Sequence, residues 1–112
     1  MVEAVATEVL LVQRSGEAPF EVTLQIGRPY QDPDHTDEWV CPVSLAPLYA
    51  KLRAARSNSA LQSLCLALSL ALDLLHGVVE QGGSVSFASG ESFQFGVYAF
   101  GVAAGERSAR KK

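Results

Sequence analysis

The chain has little of what small active sites and structural staples are built from. It holds two cysteines, Cys41 and Cys65, and two histidines, His35 and His76. No CxxC or Cys/His ligand spacing occurs, which argues against a structural zinc site. Two thiols do not make a disulfide scaffold, and free cysteine of this kind reads as a small buried apolar residue. No glycine loop precedes a helix to cradle phosphate. Gly82-Gly83 follows a helical stretch, the wrong end for an anion. Proline is missing after Pro47, all five lying between Pro19 and Pro47. The second half is therefore free to hold a long helix, whereas the first is confined to strands and loops.

Basic charge is also scarce. The net charge is -3, with Lys51, Arg53 and Arg56 and the C-terminal Arg107, Arg110, Lys111 and Lys112 as the main bases. No aromatics are interleaved with them, so nucleic acid is not an expected partner. The first residues, MVEAVATEVLLVQ, carry acids where a secretion signal needs bases. The longest charge-free run near the helix, 57–72, has 16 residues. That is short for a bilayer, and Asp73 just beyond it would cost about 3 kcal/mol at a membrane centre. The expectation is a cytoplasmic protein with no membrane span and no cofactor.

What is present is an ordinary folded composition: 112 residues, 48% apolar and 19% charged. That predicts one domain over 1–100, followed by a basic, flexible tail over 101–112. Charge is uneven. Residues 1–50 hold eight acids against Arg14 and Arg28, a balance of -6, and residues 51–112 hold four acids against seven bases, +3. Such asymmetry guides docking or self-association.

Residues 3–13 read as a first strand. Residues 20–27 alternate, with Phe20, Val22, Leu24 and Ile26 on one face, as in a half-solvated antiparallel strand. A short turn at Ser15–Pro19 makes the two a hairpin. Residues 30–37 read as a polar loop, and 38–45 as a third strand with Trp39, Cys41, Val43 and Leu45 on one face. Pro42 marks an edge or a bulge there. Residues 48–56 fit a short helical turn and a strand equally well.

The helix signal is the strongest in the chain. Ser57, Asn58 and Ser59 are good N-caps, and Leu and Ala dominate from Ala60 to Leu75. A helix over about 59–80 places Leu61, Leu64, Cys65, Leu68, Leu72, Leu75 and Val79 on the expected core side. A second apolar strip, Leu66, Leu70 and Leu74, needs another cover. Residues 84–88 and 92–100 read as a second hairpin. The predicted fold is α+β: an antiparallel sheet of about three to five strands with one long helix packed on one face. In it Trp39 anchors the sheet–helix core and Arg28 pairs with an acid of the 32–38 loop.

Three segments in order carry a resemblance: Ile26-Gly27-Arg28-Pro29, Trp39-Val40-Cys41-Pro42, and Ala60-Leu61-Gln62-Ser63-Leu64 opening the helix. Together, over about residues 20–80, they resemble a small bacterial family, a domain of unknown function, with IGRP-like, WxCP and SLQAL-like motifs. Ser57-Asn58-Ser59 stands where that family has a Gly-Asp cap. The resemblance implies a compact α+β fold and a bacterial, cytoplasmic origin. It brings no activity, substrate or catalytic residue.

Three functional expectations follow. The first is a non-enzymatic interaction module that self-associates as a homodimer through Leu66, Leu70, Leu74, Phe93 and Phe95, since an uncovered apolar strip marks an interface. The second is a small-molecule or metal-binding protein, or a weak enzyme, using the Arg28/His35 acidic loop. Arg28, His35 and Trp39 would hold the ligand, and Asp32, Asp34, His35 and Asp37 the metal, because carboxylates with histidine suit divalent cations and arginine suits anions. The third is a regulatory or immunity-like partner of another bacterial protein, docking through the acidic first half. Cys41 and Cys65 are expected to be buried, which leaves no activated nucleophile.

Overall fold

A computed structural model describes residues 3–99. The expected tail over 101–112 lies outside the described residues. The elements run β1 (Ala4–Gln13), β2 (Phe20–Gly27), β3 (Tyr30–Gln31), β4 (Trp39–Cys41), β5 (Val43–Ala46), β6 (Ala55–Ser57), α1 (Ala60–Glu80), β7 (Ser84–Phe87) and a 3-10 helix (Phe95–Ala99). The fold is α+β, with antiparallel strands and one long helix as predicted. The strands divide between two sheets, of order β5-β2-β1-β7 and β3-β4-β6.

The hairpin of β1 and β2 frames the larger sheet. Leu10 pairs with Val22, Glu8 with Leu24 and Ala6 with Ile26, so these residues share the face that turns inward. Leu10, Val12 and Val22 are wholly buried there. A β-bulge falls between Ala4 and Ala6.

The expected third strand breaks at Pro42. Trp39–Cys41 pairs with β3 and β6 in the small sheet, whereas Val43–Ala46 pairs with β2 in the large one. Proline lacks the amide that a continuous ladder needs. Its carbonyl still accepts from the Gly27 amide at 2.8 Å, which pins the crossing. The ambiguous 48–56 segment is mostly irregular, with an isolated bridge at Tyr49 and a strand only from Ala55.

Ser59 caps α1, its hydroxyl accepting from the Gln62 amide at 3.1 Å. The helix ends in a Schellman motif: the Gly82 amide donates to the Val79 carbonyl and the Gly83 amide to the Val78 carbonyl. Gly82 sits at φ 92, which favours glycine. A Cβ at Gly83 would collide with the Gln13 carbonyl and the Val78 side chain. Glycine there lets the chain leave the helix directly alongside β1.

The helix is turned roughly a quarter turn from the expected phase. Its buried residues are Ser63, Ala67, Ala71, Leu72, Leu75 and Val78. Cys65 is exposed and not in the core, and Leu61 is 70% exposed. Small side chains at Ser63, Ala67 and Ala71 let α1 approach β4 and β6 of one sheet and β2, β5 and β7 of the other. The large leucines then straddle this line, so most of the over-wide apolar face is used by two sheets instead of one. By length and composition α1 is able to cross a membrane, yet here one side of it packs on both sheets.

The second hairpin is cut short. The Phe87 amide bonds the Glu91 carbonyl, and Ser86 bridges Ser92, but the return leg then winds into the 3-10 helix. Phe95 and Tyr98, three apart, thereby both reach Phe93, the tyrosine stacked on it with centroids 5.0 Å apart.

Candidate functional site

Three places gather the residues that chemistry would need. The first is the turn after β3. The Asp34 amide bonds Asp32 Oδ1 at 2.9 Å, and the Asp32 and Glu38 amides close the loop on the Glu38 and His35 carbonyls. This self-bonded aspartate turn is typical of Asp-Pro-Asp sequences. Asp32 is nearly buried, at 9% exposure. Arg56 of β6 reaches back to it, with Nη1 2.8 Å from Asp32 Oδ2 and 3.1 Å from Glu38 Oε2. The guanidinium bond, together with the Asp34 amide, holds the Asp32 carboxyl below the usual carboxylate range.

Asp32, His35 and Glu38 bring donor atoms within 4.8 Å of one another. Their character, carboxylates and imidazole, suits a divalent transition metal. The expected metal set is corrected at two positions. Asp34 and Asp37 are exposed and outside this group, because the turn directs its ligating atoms from Asp32 and Glu38. The Arg56 cation already bonds both carboxylates, so it occupies their acceptor atoms and offsets part of their charge.

The second place is a cleft of about 500 Å³ where the N-terminal end of β1 meets the small sheet. It holds Arg28 and Trp39, two of the three expected ligand residues, with Tyr30, Gln31 and Glu3. His35 does not line it. Arg28 pairs with Glu3 at 3.5 Å and not with the 32–38 loop, whose acids Arg56 takes instead. Trp39 is half-buried in the cleft wall and stands outside the core cluster, to which its strand contributes Cys41. The sequence reading missed Tyr30, Gln31 and Glu3. The two-residue strand that carries Tyr30 and Gln31 is too short to show a period.

The third place is the outer edge of β1. Its pairing with β7 covers only Leu10–Gln13. Among the described residues, no strand pairs with Ala4–Val9 on the side away from β2. Beside that edge runs an apolar groove of about 230 Å³, lined by Ala6, Glu8, Leu24, Leu68, Leu72 and Phe93 among others. Leu61, Cys65 and Val79 share the helix side of Leu68 and Leu72, and all three are exposed. The Glu8 side chain has no ion pair or hydrogen bond among the described residues.

The expected interface residues fall elsewhere. Phe93 is 6% exposed and belongs to the chain's own core. Phe95 is half-buried, edge-on to Phe93 and to His76. Leu70 and Leu74 pack against the core, and of that strip only Leu66 is exposed. The helix phase explains this, because rotation toward the small residues draws Leu70 and Leu74 against the core and leaves Leu61, Cys65 and Val79 exposed.

The thiols offer no nucleophile–base pair. Cys41 is buried, donates to the Gly27 carbonyl at 3.3 Å, and burial pushes its pKa up. His76 pairs with Glu80 at 3.5 Å on the helix surface. No known protein family, curated protein or solved structure matches the chain.

Proposed function

We propose that the chain is a non-catalytic interaction module that takes up an extended segment of another polypeptide along β1. The observation that carries this is the coincidence of a strand edge, unpaired among the described residues, with an apolar groove on its inward side. An open edge offers a row of amides and carbonyls, and strand addition uses them for affinity. Alternate side chains of the added strand enter the pockets beside it, which supplies selectivity. The exposed Leu61, Cys65 and Val79 extend the apolar surface such a segment would cover.

A peptide library displayed on phage and selected against the full chain tests the reading. Enriched sequences should shift the amide signals of Ala6–Val9 and the methyl signals of Leu68 and Leu72. Enrichment mapping elsewhere, or no enrichment, overturns it.

The cleft at Arg28 supports a second reading, a small anionic ring compound. Tyr30 and Trp39 offer aromatic faces, and the exposed Arg28–Glu3 pair is of the kind that contributes little and yields to a better carboxylate. Trp39 is the sole tryptophan, so its fluorescence reports the cleft directly. Saturation by benzoate but not benzyl alcohol, lost in Arg28→Gln, is the expected result.

A further inference from the structure

We infer that the segment accepted along β1 carries a lysine or arginine whose side chain faces Glu8. This rests on the strand-addition reading above and names the chemistry of the partner. Glu8 lies on the inward face of β1, opposite the buried Leu24 and two residues from the wholly buried Leu10. That face is otherwise apolar: Ala6, Leu10 and Val12 on β1, then Val22, Leu24 and Ile26 on β2. A carboxylate in such a row is solvated only while the groove is open. An added strand closes the groove and takes water from Glu8. Stripping a charge of water is unfavourable unless a partner charge replaces it.

The occupant is therefore selected by sign. An apolar segment would bury Glu8 unpaired, and an acidic one would repel it. A basic side chain at the inward position beside Glu8 compensates the lost water. Inward charge on an open edge is also a recognised guard against indiscriminate pairing. Specificity arises as much from the segments this guard rejects as from the one it accepts. A second copy of the chain fits less well. Two β1 edges running antiparallel with both helices on one side would set two Glu8 carboxylates on the same inward face. The bulge between Ala4 and Ala6 further limits the regular edge to Ala6–Val9.

Three capped heptapeptides test the inference, TVTKTVT, TVTETVT and TVTVTVT, whose second, fourth and sixth side chains share one face. Each is titrated into the full chain and followed by the amide signals of Ala6–Val9. The lysine peptide should bind about tenfold more tightly than the glutamate peptide, as opposed and like charges differ at a partly exposed site. Glu8→Gln should level the two, and Glu8→Lys should reverse their order. Equal binding of all three to the wild type would leave strand addition standing and overturn the charge selection. Concentration-dependent shifts of Ala6–Val9 without peptide, with sedimentation showing a dimer, would assign the edge to a second copy and overturn it as well. Binding by none would remove the strand-addition reading too.

Discussion

The Arg56 guanidinium stands 2.8 Å from the Asp32 carboxylate, across 24 residues of sequence. It ties β6, the last strand before the helix, to the turn that follows β3. The bond depresses the Asp32 carboxyl below its ordinary value of 3.8. A depressed carboxyl stabilises the fold above its unfolded pKa, and that contribution is lost as pH falls through the folded pKa. Arg56→Gln should therefore lower the melting temperature at neutral pH. The difference from wild type should begin to shrink as pH falls below 3.8, where the unpaired carboxyl of the variant protonates, and should vanish only once pH passes the depressed value of the wild type. Thermal melts from pH 7 to pH 2 check this. A gap that stays constant over the range contradicts the role given to Asp32.

The same arginine decides the fate of the Asp32–His35–Glu38 cluster. With Arg56 bonding both carboxylates, a divalent cation would have to displace it. Zinc should thus leave the wild-type melt unchanged at concentrations that raise the melt of Arg56→Ala. Ligand-induced stabilisation grows with the logarithm of concentration over Kd, so the variant's melt should climb steadily with added zinc. Adding His35→Ala should abolish the climb. A zinc-induced rise in the wild type would mean that the arginine is a mobile gate and not a fixed neutralising charge.

The two thiols separate by reactivity. Cys65 is exposed on α1, whereas Cys41 is buried, bonded to Gly27, and held protonated by its surroundings. Reaction with Ellman's reagent at pH 8 should release one equivalent quickly. The second should appear only in denaturant, since the thiolate is the reacting form. Cys65→Ser should remove the fast phase and leave the slow one. Two fast equivalents would show that the region around Gly27 and Cys41 opens readily.

Which parts of the molecule were legible beforehand follows from the reach of each signal. The hairpin of β1 and β2, the Ser59 cap and the length of α1 all rest on patterns within about twenty residues. Those survive into the fold. Pro42 announced a break, but not that the chain changes sheets there. The helix phase was misread because large leucines dominate any periodicity count. Contact with two sheets is decided by the smallest residues, Ser63, Ala67 and Ala71, which contribute least to that count. The site was legible in part: Arg28 and Trp39 line one cleft. Arg56, Glu3 and the β1 edge were hidden, since each depends on pairings distant in sequence.

The helix phase can be tested through residues that a hydropathy plot would rank the wrong way round. Ala71 is wholly buried, whereas Leu61 is 70% exposed. Ala71→Leu adds apolar volume on paper, but it inserts that volume where α1 packs on the sheets. Overpacking of this sort destabilises by about 1–3 kcal/mol. Leu61→Gln removes an apolar side chain from solvent contact and should change stability by no more than about 0.5 kcal/mol. Leu75→Ala, at a wholly buried position, should cost about 2–5 kcal/mol. Urea unfolding of the three variants gives the comparison, with unchanged slopes required for it to count. If Leu61→Gln were the damaging change and Ala71→Leu the harmless one, the helix would sit in the phase that the leucine pattern alone suggests. The edge of β1 would then lose its apolar neighbour, and with it the basis for strand addition.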